Sequence, residues 1–534
     1  MFELNQGVTV RTRKRSRETT ISNLTDSNTD TPAFTDWGIF TPTLILVLLI
    51  AAVMLVFGEA SAKYAEIGMK FITAKFGWLY LTGGLAALGF CMWMAFGQYG
   101  NVLLGNPGEA PEYSTLHWIA LMFTAGIGGN LAAWGFAEPI FYLQTPPMGF
   151  EPLSSQAMEW AHVYPMFHWG IIPWAIYCLP AIPIAYMLYV RKDPILRISA
   201  ACEGALPKRG REGAKSTIDI LVVLGLIGGT STSLGFGVPF VSALVTELLG
   251  IPDSVIMKLS VLTVWTLLFG ASAYRGLKKG IKVLADINVV LAILSIIFIF
   301  FAGPTQFILS ITVNSAGHMM DKFWIMSLWT DPIEKNGFPE AWTIFYWAWW
   351  LAYAAFMGLF VGRISRGRTI KQLVLGVIGW GTLGTVSFLA VVGGYALHLE
   401  SSGLMAASEM LRDEGMFTLA ASMFQYLPYH KIILGIFTVM CIIFYATTID
   451  SAAYVLASIC TRNLRNDQEP PKFSRLVWAG ALALLSAGLV LSGSLSTVQS
   501  STILFSLPLI PIVVMMSITI VKWLKEDAAL KAGL

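Results

Sequence analysis

Apolar residues gather along this chain into twelve long runs, parted by short polar stretches. The runs lie at 38–58, 76–98, 117–143, 161–189, 216–247, 254–273, 283–303, 340–362, 372–397, 429–461, 472–492 and 498–522. Each reaches the roughly 20 residues a helix needs to cross a bilayer. The pattern therefore predicts an all-α integral membrane protein of about twelve transmembrane helices. Several runs exceed the requirement, so tilt or interruption is expected. The third run reads FTAGIGGNLAAWGFAEP, with Gly126, Gly128 and Gly129 clustered inside it. Each glycine lowers helix propensity by about 1 kcal/mol. Such a break can turn backbone carbonyls toward a cavity, or it can simply let helices pack closely.

The polar stretches add orientation. Basic residues concentrate in the N-terminal tail (Arg11, Arg13, Lys14, Arg15, Arg17) and in the loops after the fourth, sixth, eighth and tenth runs: 191–215, 275–282, 363–371 and 462–465. Positive loops face the cytoplasm, so both termini are expected there, with the chain crossing a cell (inner) membrane many times. The third run opens one block of five runs, 117–303, and the eighth opens another, 339–523. Five crossings are odd, so the second block would be inverted relative to the first. Two helices at 36–116 precede the blocks. Residues 1–35 read as a disordered tail rich in Thr, Ser, Asn and Asp, and 524–534 as a cytoplasmic end. Segments 304–338 and 399–426 each read as an amphipathic helix on the outer face.

Composition agrees with the pattern. Of 534 residues, 55% are hydrophobic and 13% charged, with a mean hydropathy of +0.66; soluble chains carry about 25% charged residues. The five cysteines show no metal-ligand spacing and read as packing residues. The N-terminus opens polar, unlike a cleaved signal. Neither a Walker motif nor a His pair spaced i, i+4 with Glu is present, and no acidic residue adjoins His168 in sequence, so an enzyme and an ATP-driven pump are both disfavoured. Nothing points to a nucleic-acid partner or a resident cofactor.

The densest chemistry lies in WTIFYWAWWLAYAAFMGLFVGRISRGR, from Trp342 to Arg368. Trp350 precedes Arg363 by 13 residues, about 20 Å at 1.5 Å per residue. That is deeper than an interfacial belt. The rings either pack between helices or form an aromatic box that holds a cation. A trimethylammonium group has no N–H donor and is weakly hydrated, so π faces suit it better than hydrogen bonds. Trp169 and Trp174, in HWGIIPWAIY, fit such a box or an outer belt.

These pieces, FYWAWW with RISRGRT, HWGIIPWAIY, FAEP and FYATTIDSAAYVLA, resemble the betaine/carnitine/choline transporter family over nearly the whole chain beyond residue 35. The resemblance implies five-helix inverted repeats of the leucine-transporter type after two extra N-terminal helices, a homotrimer, and secondary uptake of a quaternary ammonium compound such as carnitine or glycine betaine. It places the substrate box on Trp169, Trp174, Tyr177, Trp349, Trp350 and Tyr353. Phe141 stands where the exchangers have a box tyrosine, Met357 where they have a methionine, and Asn130 where the family has a third glycine. Tyr353 and TPPMGFEP are similar to the carnitine branch.

Sodium is the implied coupling ion. Phe444, Thr447 and Thr448 would face Thr124 and Ile127, with a second site drawing on Thr230, Thr232 or Ser233 near Phe356. In a helix such threonines also back-bond to their own carbonyls. The carnitine exchangers need no sodium because an arginine replaces it; that position falls on Asn288 here, which favours sodium. Sodium-independent exchange and proton coupling remain as alternatives. Glu138, Asp286 and Asp450 are carboxylates within the runs; the first two are expected near helix ends in structural roles, and Asp450 would orient its helix or relay a proton.

Overall fold

The computed structural model describes residues 33–126, 129–275, 278–465, 468–492 and 495–531. The tail at 1–32 and Ile127 therefore lie outside the described residues. Helices follow one another almost without interruption: α1 (Trp37–Val56), α2 (Gly58–Phe96), α3 (Thr115–Gly126), α4 (Asn130–Gln144), α5 (Ser155–His168), α6 (Ile171–Tyr189), α7 (Ile198–Ala201), α8 (Arg211–Leu249), α9 (Val255–Arg275), α10 (Lys278–Ala302) and α11 (Thr305–Leu328). A π-helical turn, Pro339–Thr343, leads into α12 (Ile344–Ile364). Then come α13 (Ile370–Ser401), α14 (Ala407–Asp413), α15 (Met416–Ser422), α16 (His430–Ile459), α17 (Lys472–Ser492), α18 (Leu495–Ser506) and α19 (Leu509–Lys531).

Among the described residues, eight helices are long and apolar enough to cross a membrane, or ten if two bent pairs each count as one span. One bent pair is α10 with α11, turned through 108°, and the other is α18 with α19, turned through 43°. Two of the twelve predicted spans fall outside that number. The third run is divided between α3 and α4, and the sixth has an apolar helix only over Val255–Leu268.

Several boundaries differ from the hydropathy pattern for a common reason. Helical hydrogen bonds run on through polar residues that an apolar window rejects. Thus α2 begins at Gly58 rather than near residue 76, and its added turns carry the exposed Glu66–Lys70 pair, 2.7 Å apart. The fourth run breaks at Trp169 and Gly170 into α5 and α6. The 399–426 segment is not one amphipathic helix. α13 extends to Ser401, then α14, α15 and a 3₁₀ turn follow, and Leu419, Met423 and Phe424 are buried.

Burial ranks the helices. The apolar stretch of α5–α6 is 94% buried and that of α12 is 89% buried, against 28% for α1 and 39% for α2. α6 and α12 pack on each other more extensively than any other pair, so they form the centre of the bundle and α1 lies at its rim.

The arginine-rich ends are tied by polar contacts. Arg368 O accepts from Leu104 N at 2.8 Å, Gly367 N donates to Leu104 O at 2.8 Å, and Arg366 Nε meets Glu109 Oε1 at 2.7 Å. Strand β1 (Phe34–Thr35) pairs antiparallel with β2 (Thr461–Arg462). Beside it the buried Asp36 carboxylate accepts from Arg197 at 2.8 Å and Arg462 at 2.9 Å. Burial pushes the Asp36 carboxyl up, but the two guanidinium groups outweigh it and hold it below its ordinary range.

Candidate functional site

The break between α5 and α6, together with the aromatic run of α12, builds the site. Trp350 is its central ring. Its centroid lies 4.4 Å from Tyr177, 5.6 Å from Trp169 and 5.7 Å from Trp174. These rings are at most 5% exposed. Trp169, Tyr177, Trp349, Trp350 and Tyr353 line a cavity of about 30 Å³ with Ala125, Gly126, Asn130, Ser233 and Thr448. None of these lining side chains is charged. Ser233 and the Tyr353 hydroxyl meet at 2.7 Å, joining α8 to α12.

The remaining candidates fall at different depths. Trp174 stands behind the cavity, against Trp350 and Tyr177, and its Nε1 donates to Thr385 at 3.3 Å. Met357 is fully buried, its methyl 2.9 Å from where a Cβ on Gly126 would project. Phe141 is not brought to the cavity; it packs on Trp342 at 5.3 Å and on Trp134 at 6.4 Å. Asn130 reaches the cavity from the start of α4, and its Oδ1 accepts from Tyr445 of α16 at 3.1 Å. The Tyr445 ring lies between α4 and α8, where both approaching backbones are glycine. A Cβ on Gly129 or on Gly237 would come within 2.4 Å of it.

The implied ion ligands are spread. Thr447 Oγ1 donates to Ile443 O at 3.0 Å and to Phe444 O at 2.9 Å, and Thr448 Oγ1 donates to Phe444 O at 2.9 Å. Thr230 Oγ1 likewise donates to Leu226 O at 2.8 Å, and Thr232 meets Thr502 at 2.7 Å. Thr124 lies in α3, two residues before its end at Gly126. Phe356 faces a second, wider cavity of about 680 Å³, lined among others by Tyr113, Phe360, Arg363, Arg366, Asp450 and Arg465. That vestibule opens at the arginine end of α12. Asp286 is exposed on α10.

One cluster is invisible along the chain. Glu138, wholly buried on α4, accepts from Trp169 Nε1 at 3.1 Å, from Tyr346 at 2.8 Å and from Tyr142 at 2.5 Å. His168 Nδ1 lies 3.3 Å from the same carboxylate, which supplies the acidic partner that sequence neighbours do not. Its Nε2 lies 3.0 Å from Thr343 Oγ1. The one local signal is that Glu138 and Tyr142 share a helix face at i, i+4.

A family model described as BCCT, betaine/carnitine/choline family transporter, matches residues 38–529. A carnitine transporter of Acinetobacter baumannii is 31% identical over 503 residues, covering 94% of this chain and 91% of its own. A solved structure of a Na+-coupled sialic acid symporter, in a substrate-bound outward-open state, aligns with a TM-score of 0.41 and 15% identity over 79% of this chain and 81% of its own.

Proposed function

The chain belongs to the betaine/carnitine/choline family of transporters, and from that premise we propose a secondary active carrier that takes up a quaternary ammonium compound with sodium. It is a transporter and not an enzyme. Carnitine, glycine betaine and related onium compounds are the substrates the site would suit. The observation that carries this reading is the set of aromatic rings around Trp350, lining a cavity without a charged side chain. With no carboxylate at the cavity wall, a bound cation would be held by π faces, each contributing about 0.5–2 kcal/mol. The polar lining atoms of Asn130, Ser233 and Thr448 would orient the rest of the molecule. The protein would act as a homotrimer in the cell membrane, with the arginine-rich ends and both termini in the cytoplasm.

Sodium coupling draws on the hydroxyls of Thr447 and Thr448 and on Asn288. Asn288 is a buried amide rather than a fixed cation, and neither of its polar side-chain atoms has a hydrogen-bond partner among the described residues. Sodium-independent exchange is the second reading. It is favoured by the hydroxyls of Thr447, Thr448 and Thr230, each of which bonds to a carbonyl of its own helix, as a threonine does without an ion. A tryptophan-fluorescence titration of the purified protein with carnitine, glycine betaine, choline and a sulfonium analogue, in sodium and then in potassium, separates the readings. Linkage requires substrate and ion to raise each other's affinity equally, and a typical coupling is about 5- to 150-fold. Equal affinities in both salts, with uptake only into liposomes preloaded with a betaine, would replace symport by exchange. Saturable binding of none of the four would overturn the substrate class.

A further inference from the structure

Four hydrogen-bonding groups converge on one buried carboxylate beside the aromatic cavity, and no part of that carboxylate lines the cavity. Trp169, Tyr346 and Tyr142 donate to Glu138, and His168 Nδ1 stands 3.3 Å away. All five side chains are at most 5% exposed. One assignment of protons makes every neighbour a donor and the carboxylate the acceptor. Tyr142 gives its single proton to Glu138, so the 2.8 Å contact between Tyr142 and His168 Nδ1 needs the proton on Nδ1, and Nε2 then accepts from Thr343. In that assignment the carboxylate only accepts, as an anion does. A buried anion is tolerated when such donors surround it.

Trp169 is the shared member. Its N–H points to Glu138, while its ring lines the cavity and meets Trp350 edge-on at 5.6 Å, with a 76° interplanar angle. An indole N–H held by an anion has one fixed ring orientation and a more electron-rich π face. Both effects favour a cation on that face.

We infer that Glu138 is a positioning residue for cation recognition, acting through the Trp169 indole to fix and polarise the π face without touching the substrate. This rests on the aromatic-box reading above. The anion stands one indole away from the cavity. The cation gains its charge without a carboxylate close enough to trap it as an ion pair, which suits a carrier that must also release it. The same carboxylate ties α4, the α5–α6 break and the start of α12 together through Trp169 and Tyr346.

The test uses the full-length protein in proteoliposomes. The probes are radiolabelled carnitine and its carbon isostere, in which a tert-butyl group replaces the trimethylammonium. Glu138→Gln keeps the shape and removes the charge. Losing one ring's contribution corresponds to about two- to thirty-fold in affinity, so Glu138→Gln is expected to weaken carnitine by such a factor and leave the weaker isostere unchanged. Trp169→Phe keeps a ring without an N–H and should weaken carnitine similarly. The double variant should bind as Trp169→Phe alone does, because the carboxylate acts through the indole. Glu138→Asp, which keeps the charge, should recover part of the loss, and it serves for the same cation-to-isostere ratio if Glu138→Gln does not purify. Equal weakening of both probes, or additive losses in the double variant, would reduce Glu138 to a packing residue and overturn the inference. Wild-type protein that binds neither carnitine, glycine betaine nor choline would instead sink the substrate class itself.

Discussion

At the residue scale the centre of the site is Trp350, because three other rings meet it within 6 Å. Removing it takes away a π face and leaves its neighbours unsupported. Trp350→Ala or Tyr353→Ala is expected to abolish saturable binding of a trimethylammonium compound while the purified protein keeps its helical circular-dichroism spectrum. Near wild-type affinity in both variants would remove the cation–π account. That Trp349 and Trp350 share one helix with Arg363 was legible in the sequence, since the apolar run joins them without a break. So was the pairing of HWGIIPWAIY with WWLAY, through family resemblance. Glu138 was not legible, because its partners lie 30 residues away at His168, 31 at Trp169 and 208 at Tyr346. Hydropathy carries no information about which distant hydroxyl reaches a carboxylate. Phe141 illustrates the converse: resemblance placed it in the box, yet its ring turns to Trp342.

At the element scale the informative feature is the start of α4. Three clustered glycines fall within four residues, and the described helices α3 and α4 lie on either side of them, with 127–128 outside the described residues. What they accommodate could not be read from the chain. Tyr445 comes from α16, 315 residues beyond Asn130, and wedges its ring between α4 and α8. A methyl group at Gly237 has no room there, because the ring wall is 2.4 Å from its Cβ position. Overpacking of a well-filled interior costs about 1–3 kcal/mol. Gly237→Ala is therefore expected to lower the detergent-solubilised melting temperature, and Tyr445→Ala in the same chain to restore part of it. A Gly237→Ala protein as stable as wild type would show that α16 can withdraw without cost. The break between α5 and α6 escaped the sequence because Trp169 and Gly170 sit inside an uninterrupted apolar run.

At the scale of the whole molecule the asymmetry of charge carries the proposed orientation, with the basic loops inside. Among the described residues, the basic loops 191–215, 363–371 and 462–465 meet at the end where α12 finishes in Arg363; with that end inside, an impermeant maleimide should fail to label Lys208→Cys in intact cells and should label it in inverted vesicles. Position 208 is preferred to Gly210, whose φ of 76° disfavours a side chain. The native cysteines are all buried and add little background. At that same end Asp36 clasps Arg197 and Arg462. Its folded pKa lies below the unfolded one, so its contribution is full above the ordinary carboxylate value of about 3.9 and fades as pH falls through the folded value. The melting-temperature difference between wild type and Asp36→Asn should thus stay constant from pH 8 to about 5 and shrink below about 4. A difference that grew on acidification would contradict the clasp. The two cavities, finally, have a consequence for rates. A space of about 30 Å³ admits one or two waters, whereas small-molecule pockets begin near 300 Å³. The box must widen before any onium enters, and only the widened fraction can capture ligand. In stopped flow the observed rate should then level off as ligand concentration rises, at the frequency with which the rings part; a rate that climbed linearly without limit would mean that the box yields on contact.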